Sequence, residues 1–167
     1  MTHFRPSAKP RLLALAMLLS CAAAHAQQRY WYDGEQRRAL WAEASVVADF
    51  SVRSAEKSQV LKPASLDKNG ASSHSPVFRD AKERTGATRA LPGGVILRFH
   101  PSATDGERQQ LIARHRLAPV RELGEGSGQW LVHSTPGLPS LELANRLYES
   151  GDFAAASPNW WQPRKLK

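Results

Sequence analysis

Residues 91–161 predict an α+β fold in which strands and helices alternate in the order βαββαβ. Three observations carry the prediction. Helix starts and a helix stop are written in local chemistry: the capping box Thr104-Asp105-Gly106-Glu107, Pro139 at the head of a second amphipathic run, and Gly151 just past its end. Short apolar runs, Val95-Ile96-Leu97-Arg98-Phe99 and Trp130-Leu131-Val132, sit between glycine and proline punctuation. The single cysteine is Cys21, so beyond the presequence apolar burial has to hold the fold without disulfides.

The elements follow in order. Pro92-Gly93-Gly94 is a turn that leads into the first strand, 95–99. In the capping box the Thr104 hydroxyl accepts from a free N–H of the first turn, and Glu107 reaches back to another. The helix that follows sets Leu111, Ile112 and His115 at one-face spacing. Residues 117–123 are strand-like, and Pro119 restricts them to an edge position or a late start, because proline cannot donate to a ladder. Gly124-Glu125-Gly126-Ser127-Gly128 turns the chain into the strand at Trp130. Leu141, Ala144, Leu147 and Tyr148 form the apolar face of the second helix, and Phe153 to Ser157 is the last strand. The whole is a ferredoxin-like unit, a four-stranded antiparallel sheet with both helices on one face.

Such packing leaves the other sheet face bare. Side chains alternate along a strand, so inward Val95, Leu97 and Phe99 imply outward Ile96 and Arg98. Inward Phe153 and Ala155 likewise imply outward Ala154 and Ala156. Small apolar residues there let another surface approach closely, although exposed alanines also occur on ordinary surfaces.

Residues 1–26 read as a signal peptide: Arg5, Lys9 and Arg11, an apolar stretch Leu12 to Ala24, and the cleavage site Ala24-His25-Ala26 before Gln27. The apolar stretch is shorter than the ~20 residues a membrane span needs. Leu18-Leu19-Ser20-Cys21 offers a rival, a lipid anchor at Cys21, to which Leu19 is a poor fit. The expected chain is therefore secreted or periplasmic. Residues 27–53 carry an aromatic β-hairpin, with Asp33-Gly34 at its turn, and a further strand at Val46 to Phe50. Residues 54–90, rich in Ser, Lys and Ala, read as a flexible linker with one short strand near Pro76 to Arg79. Residues 162–167 are a basic C-terminal tail.

Net charge is +8, and losing the three bases of the presequence leaves +5. The bases are scattered, with no aromatic-basic motif, which argues against nucleic acid as a partner. His74, His100, His115 and His133 stand at no metal-ligand spacing, no Gly-x-Ser-x-Gly elbow occurs, and the glycines of 124–128 lack the lysine and helix of a phosphate loop. The sequence predicts no catalytic residue, no metal and no cofactor.

The stretch Leu91 to Trp161 resembles the N-terminal propeptides of secreted subtilisin-like serine proteases. The likeness lies in the order Gly94 to Phe99, a charged helix, Trp130-Leu131-Val132, then Leu141 to Gly151 and a closing Phe153-Ala154-Ala155-Ala156-Ser157-Pro158-Asn159-Trp160, with Ser157 where the family often has an acid. The hairpin at Tyr30-Trp31-Tyr32 is similar to the start of some bacterial precursors. The resemblance implies a non-catalytic inhibitor or folding helper whose partner is a subtilisin-like serine protease. It implies a docking face at Ile96, Arg98, Ala154 and Ala156, and Glu122 or Glu125 as an acid that caps helix N-termini of the protease. It also implies that Trp160, Trp161, Gln162, Pro163, Arg164, Lys165, Leu166 and Lys167 lie in the substrate cleft as an added strand. A precursor continues into a catalytic domain, whereas this sequence ends at Lys167. A stand-alone inhibitor, a folding helper acting in trans and a precursor fragment are the resulting expectations, with an envelope adaptor as the alternative from another class.

Overall fold

A computed structural model describes residues 28–51, 61–63, 73–80 and 86–163. Residues 1–26 with Cys21, read above as a signal peptide, and Arg164, Lys165, Leu166 and Lys167, lie outside the described residues. The protein is α+β, with two antiparallel sheets and two helices among these residues.

The first sheet is larger than the aromatic hairpin expected from sequence. Strands Arg29–Asp33 (β1) and Gln36–Asp49 (β2) pair antiparallel, and Asp33 lies opposite Gln36. The turn therefore sits at Gly34–Glu35, one residue later than the Asp-Gly reading placed it. Gly34, at φ 59, fills its first position, where a tight hairpin loop of this kind asks for glycine. β2 then runs on past β1. Its second half pairs with Leu61–Pro63 (β3) on one side and His74–Arg79 (β4) on the other, and Thr88–Ala90 (β5) pairs with β4. This corrects the reading of 54–90 as a linker: the segment supplies three strands, and β4 lies inside the sheet between β2 and β5. Its polar letters mislead because some are buried in hydrogen bonds. Ser75 is 1% exposed; its hydroxyl accepts from Leu91 N–H at 2.9 Å and donates to the Pro76 carbonyl at 2.8 Å.

Residues 91–161 contain Val95–Arg98 (β6), Asp105–Arg114 (α1), Pro119–Glu122 (β7), Gln129–Val132 (β8), Leu138–Glu149 (α2) and Ala155–Pro158 (β9). The sheet order is β7-β8-β6-β9, antiparallel throughout. Local chemistry places the helix ends. Thr104 and Glu107 make both capping-box hydrogen bonds, N–H to carboxylate at 2.8 Å and N–H to hydroxyl at 3.3 Å. Pro139 lies in the first turn of α2, and Gly151, at φ 72, follows its last turn. Pro119 opens β7, which is an edge strand. Both helices pack on the side of Val95, Leu97 and Val132: α2 contributes buried Ala144 and Leu147, and α1 contributes partly buried Leu111 and Ile112.

Two connections join the sheets. The first is α2, whose other flank takes the hairpin. Tyr32 stacks on Tyr148 at 4.1 Å, the hydroxyls of Tyr30 and Tyr32 donate to Glu149 at 2.8 and 3.0 Å, and Asn145 donates to the Tyr30 carbonyl at 3.0 Å. The second is a two-stranded ribbon. Beyond β9, Asn159 N–H donates to the Gly94 carbonyl at 3.1 Å, and Trp161 exchanges both backbone hydrogen bonds with Ala90, at 2.9 and 3.0 Å. Trp160 thereby enters the cluster of Trp31, Leu40, Phe78, Leu91 and Leu141, its ring 5.4 Å from Trp31 and 6.4 Å from Phe78. Trp161 packs on Ala48, Val77 and Ala90, 6.2 Å from Phe50. Gly93 at the bend of the ribbon has φ 93, and a Cβ there would lie 2.6 Å from the Ser134 carbonyl oxygen.

Trp160→Ala should cost about 3 kcal/mol in urea unfolding, as core tryptophan truncations do. Amide protection should fall first in β1, β2 and β4. A loss confined to β6–β9 would contradict this role. The joint between β2 and β3 adds a pH dependence. Lys62 Nζ lies 2.6 Å from Asp49 Oδ2, and this hydrogen bond, ahead of those from Ser51, holds the Asp49 carboxyl below the usual carboxylate range. A carboxyl depressed in the folded state contributes stability above its unfolded pKa and loses it as pH falls through the folded value. Between neutral pH and about pH 2, Asp49→Asn should therefore lose stability less steeply than wild type. Parallel urea-midpoint curves for the two proteins would rule this out.

Candidate protein-binding face

The helices occupy one side of the β7-β8-β6-β9 sheet, and alternation sets what the other side shows. Val95 and Leu97 are fully buried beneath the helices, so Ile96 and Arg98 point away from them. Ile96 is half-buried and Arg98 exposed, and both stand on the open face where the sequence put them.

The last strand corrects the other two positions. Ala156 lies opposite Leu97 and is 4% exposed, so it faces the helices. The chain from Gly151 to Ala154 is a bend, not strand, and alternation counted from Phe153 does not carry through it. Ala154 sits in that bend, half-buried, before β9 begins. The outward pair on β9 is instead Ala155, opposite Arg98, and Ser157, opposite Ile96.

Two further residues of the face went unnamed in the sequence reading. Leu131 is flanked by inward Trp130 and Val132 and lies directly opposite Ile96. The alternation rule applied to Trp130-Leu131-Val132 marks it. Arg121 lies opposite Leu131, but a register shift between Pro119 and Arg121 hides it from any count along the sequence. The described strands of the N-terminal sheet do not lie on this side. They meet the second sheet through α2, the edge strand β9 and the ribbon.

The two candidate acids sit at the β7–β8 turn. Glu122 pairs with Trp130, on the helix side of the sheet, and its carboxylate accepts from Gly128 N–H at 3.2 Å. Glu125 is exposed at the turn tip, with no ion pair or hydrogen bond among the described residues. Gly124, Gly126 and Gly128 carry φ of 86, 69 and 64 through this loop.

The tail is corrected more sharply. Trp160 and Trp161 are partly buried against the protein's own first sheet rather than extended beyond the domain as free cleft anchors. Gln162 and Pro163 are exposed beyond them.

Elsewhere, His115 Nε2 lies 2.6 Å from Asp152 Oδ2, with its ring against Phe153 at 5.2 Å. That hydrogen bond, opposed by burial and helped by the charge of Arg114, depresses the Asp152 carboxyl and ties the end of α1 to the bend before the last strand. A groove of about 530 Å³ between β1 and α2 is lined by Arg29, Tyr30, Glu142, Asn145 and Arg146, and Arg29 lies 3.8 Å from Glu142 within it. Among the described residues no three of His, Cys, Asp and Glu gather where a metal ion would sit, and no helix is long and apolar enough to cross a membrane. No family model, curated protein or solved structure matches the chain.

The sidedness of β6 is directly checkable. Leu97→Asp, which puts an unpaired charge in the core, should lose more than about 4 kcal/mol or fail to fold. Ile96→Asp should stay within about 1 kcal/mol of wild type in the same urea titration. Equal losses would mean that the face is covered.

Proposed function

We propose that this chain is an exported, non-catalytic protein that binds a subtilisin-like serine protease through the open face of its second sheet, and so inhibits it or assists its folding. The observation that carries the reading is the bare face itself: Ile96 and Leu131, paired across two strands, with helices on the far side and the N-terminal sheet off to one edge. An antiparallel sheet that faced only water would show a polar surface there. The strand order β7-β8-β6-β9, with one helix after β6 and one after β8, supports the ferredoxin-like reading. That order, with the segment likeness of Leu91 to Trp161, is what points to the propeptide class.

The cleft-binding part of the reading is narrower than the sequence suggested. Trp160 and Trp161 pack, partly buried, against the protein's own core, so the peptide offered to a substrate cleft begins at Gln162. From there to Lys167 an extended chain reaches about 20 Å, enough to add one short strand. Face and tail then divide the work: the face supplies affinity and the tail obstructs the cleft.

Residues 27–167 should inhibit a mature subtilisin cleaving a chromogenic peptide, with a constant of ~1 μM or tighter. Ile96→Asp should abolish both binding and inhibition. Deleting 162–167 should relieve inhibition while binding, read by biolayer interferometry, persists within about tenfold. Unchanged inhibition by Ile96→Asp would exclude the face, and absence of any binding by the wild-type chain would exclude the protease.

A further inference from the structure

The open face carries charge of one sign, and that sign narrows the partner. Ile96 and Leu131 make its apolar centre, Arg121 lies across from Leu131, and Arg98 follows Ile96 on the same side of β6. The remaining outward positions, Gln129, Ala155 and Ser157, are neutral, and the adjacent acid Glu122 is turned to the helix side. Arg98 and Arg121 are both exposed, and neither side chain has an ion pair or hydrogen bond among the described residues. Among the other described arginines, Arg29, Arg38, Arg79, Arg89, Arg108 and Arg114 each have a carboxylate within 4.0 Å and Arg37 lies over the Tyr30 ring, whereas Arg116 and Arg146 have no ion pair. The two guanidiniums that border the apolar centre are thus left without acceptors.

From this we infer that the partner surface is acidic: an apolar patch bordered by two separate carboxylates that pair with Arg98 and Arg121. The inference rests on the open face being the docking surface. Contact with Ile96 and Leu131 strips water from both guanidiniums, and a desolvated charge without a partner is costly. Arg98 stands two strands across from Arg121 and two residues further along, roughly 12 Å away, which exceeds the screening length of about 8 Å at physiological salt. One acid therefore does not serve both. Each guanidinium takes its own carboxylate in a forked pair, which fixes the orientation of the complex as well as its charge. Nucleic acid fits less well, because the centre is aliphatic and offers no ring on which a base can stack.

The test uses three probes with the chain 27–167. Against mature subtilisin, Arg98→Glu/Arg121→Glu should slow association at least ~tenfold at ~20 mM salt, and high salt should shrink the difference. Arg37→Glu/Arg38→Glu, the same charge change on β2, should have little effect. If the wild-type chain binds and both double variants behave alike, the acidic-partner inference falls while the protease reading stands. If subtilisin does not bind at all, the protease reading falls, and the second probe decides. This is a helix-forming peptide of about 15 residues with a leucine stripe flanked by glutamates, and a lysine-flanked counterpart. In ¹⁵N spectra the glutamate peptide should shift the amides of Ile96, Arg98, Arg121 and Leu131, and the lysine peptide should not. Shifts elsewhere, or from both peptides equally, overturn the inference. A DNA duplex that shifts the same amides more strongly than the glutamate peptide also overturns it. Circular dichroism and thermal melts confirm that each variant is folded.

Discussion

The architecture depends on closure of the chain's C-terminal end onto its N-terminal sheet. Trp160 and Trp161 leave β9 as a continuing strand, hydrogen-bond to Ala90, and place two large rings against Trp31, Phe78 and Phe50. The first sheet's core is completed by residues of the second half. The first sheet's inner face is filled by Trp160 and by Leu141 of α2, both from the C-terminal half. α2 in turn is held on two flanks, by Val95 and Leu97 on one and by the tyrosines of β1 on the other. With Cys21 as its single cysteine the chain has no disulfide to join its halves, and aromatic area does so instead.

That closure has a geometric consequence for binding. Among the described residues the main contacts of the first sheet with the second run through α2, β9 and the ribbon, along an edge and the helix side rather than over the opposite face. The open face is therefore the remainder of an arrangement set by hydrophobic burial elsewhere. The same burial consumes the tryptophans that seemed suited to a cleft. An indole cannot anchor a partner and seal a core together, and here the core has both.

Much of residues 91–161 was legible because its signals are local. The capping box, Pro139, Gly151 and the edge position of Pro119 each act within a few residues, and each holds in the structure. Ile96 and Arg98 were legible through alternation along an unbroken strand. Ala154 and Ala156 were misplaced because the rule was carried across the bend at 151–154, where it has no force. Arg121 was missed for a related reason, a register shift that a count along one strand cannot contain.

The segment 54–90 shows the deeper limit. Its composition is that of a loop, yet β4 is an inner strand, because Ser75 satisfies its hydroxyl inside the protein and Val77 and Phe78 bury opposite faces. By itself the sequence determined the helix termini, the strand periods, the order βαββαβ and the absence of any disulfide beyond residue 26. Only the tertiary structure decided that β1–β5 form one sheet, that Trp160 and Trp161 close it, and which outward side chains share the bare face. Caps and alternation are short-range chemistry, set by neighbours in the chain. Register and burial are set by partners tens of residues away, whose meeting no local pattern encodes.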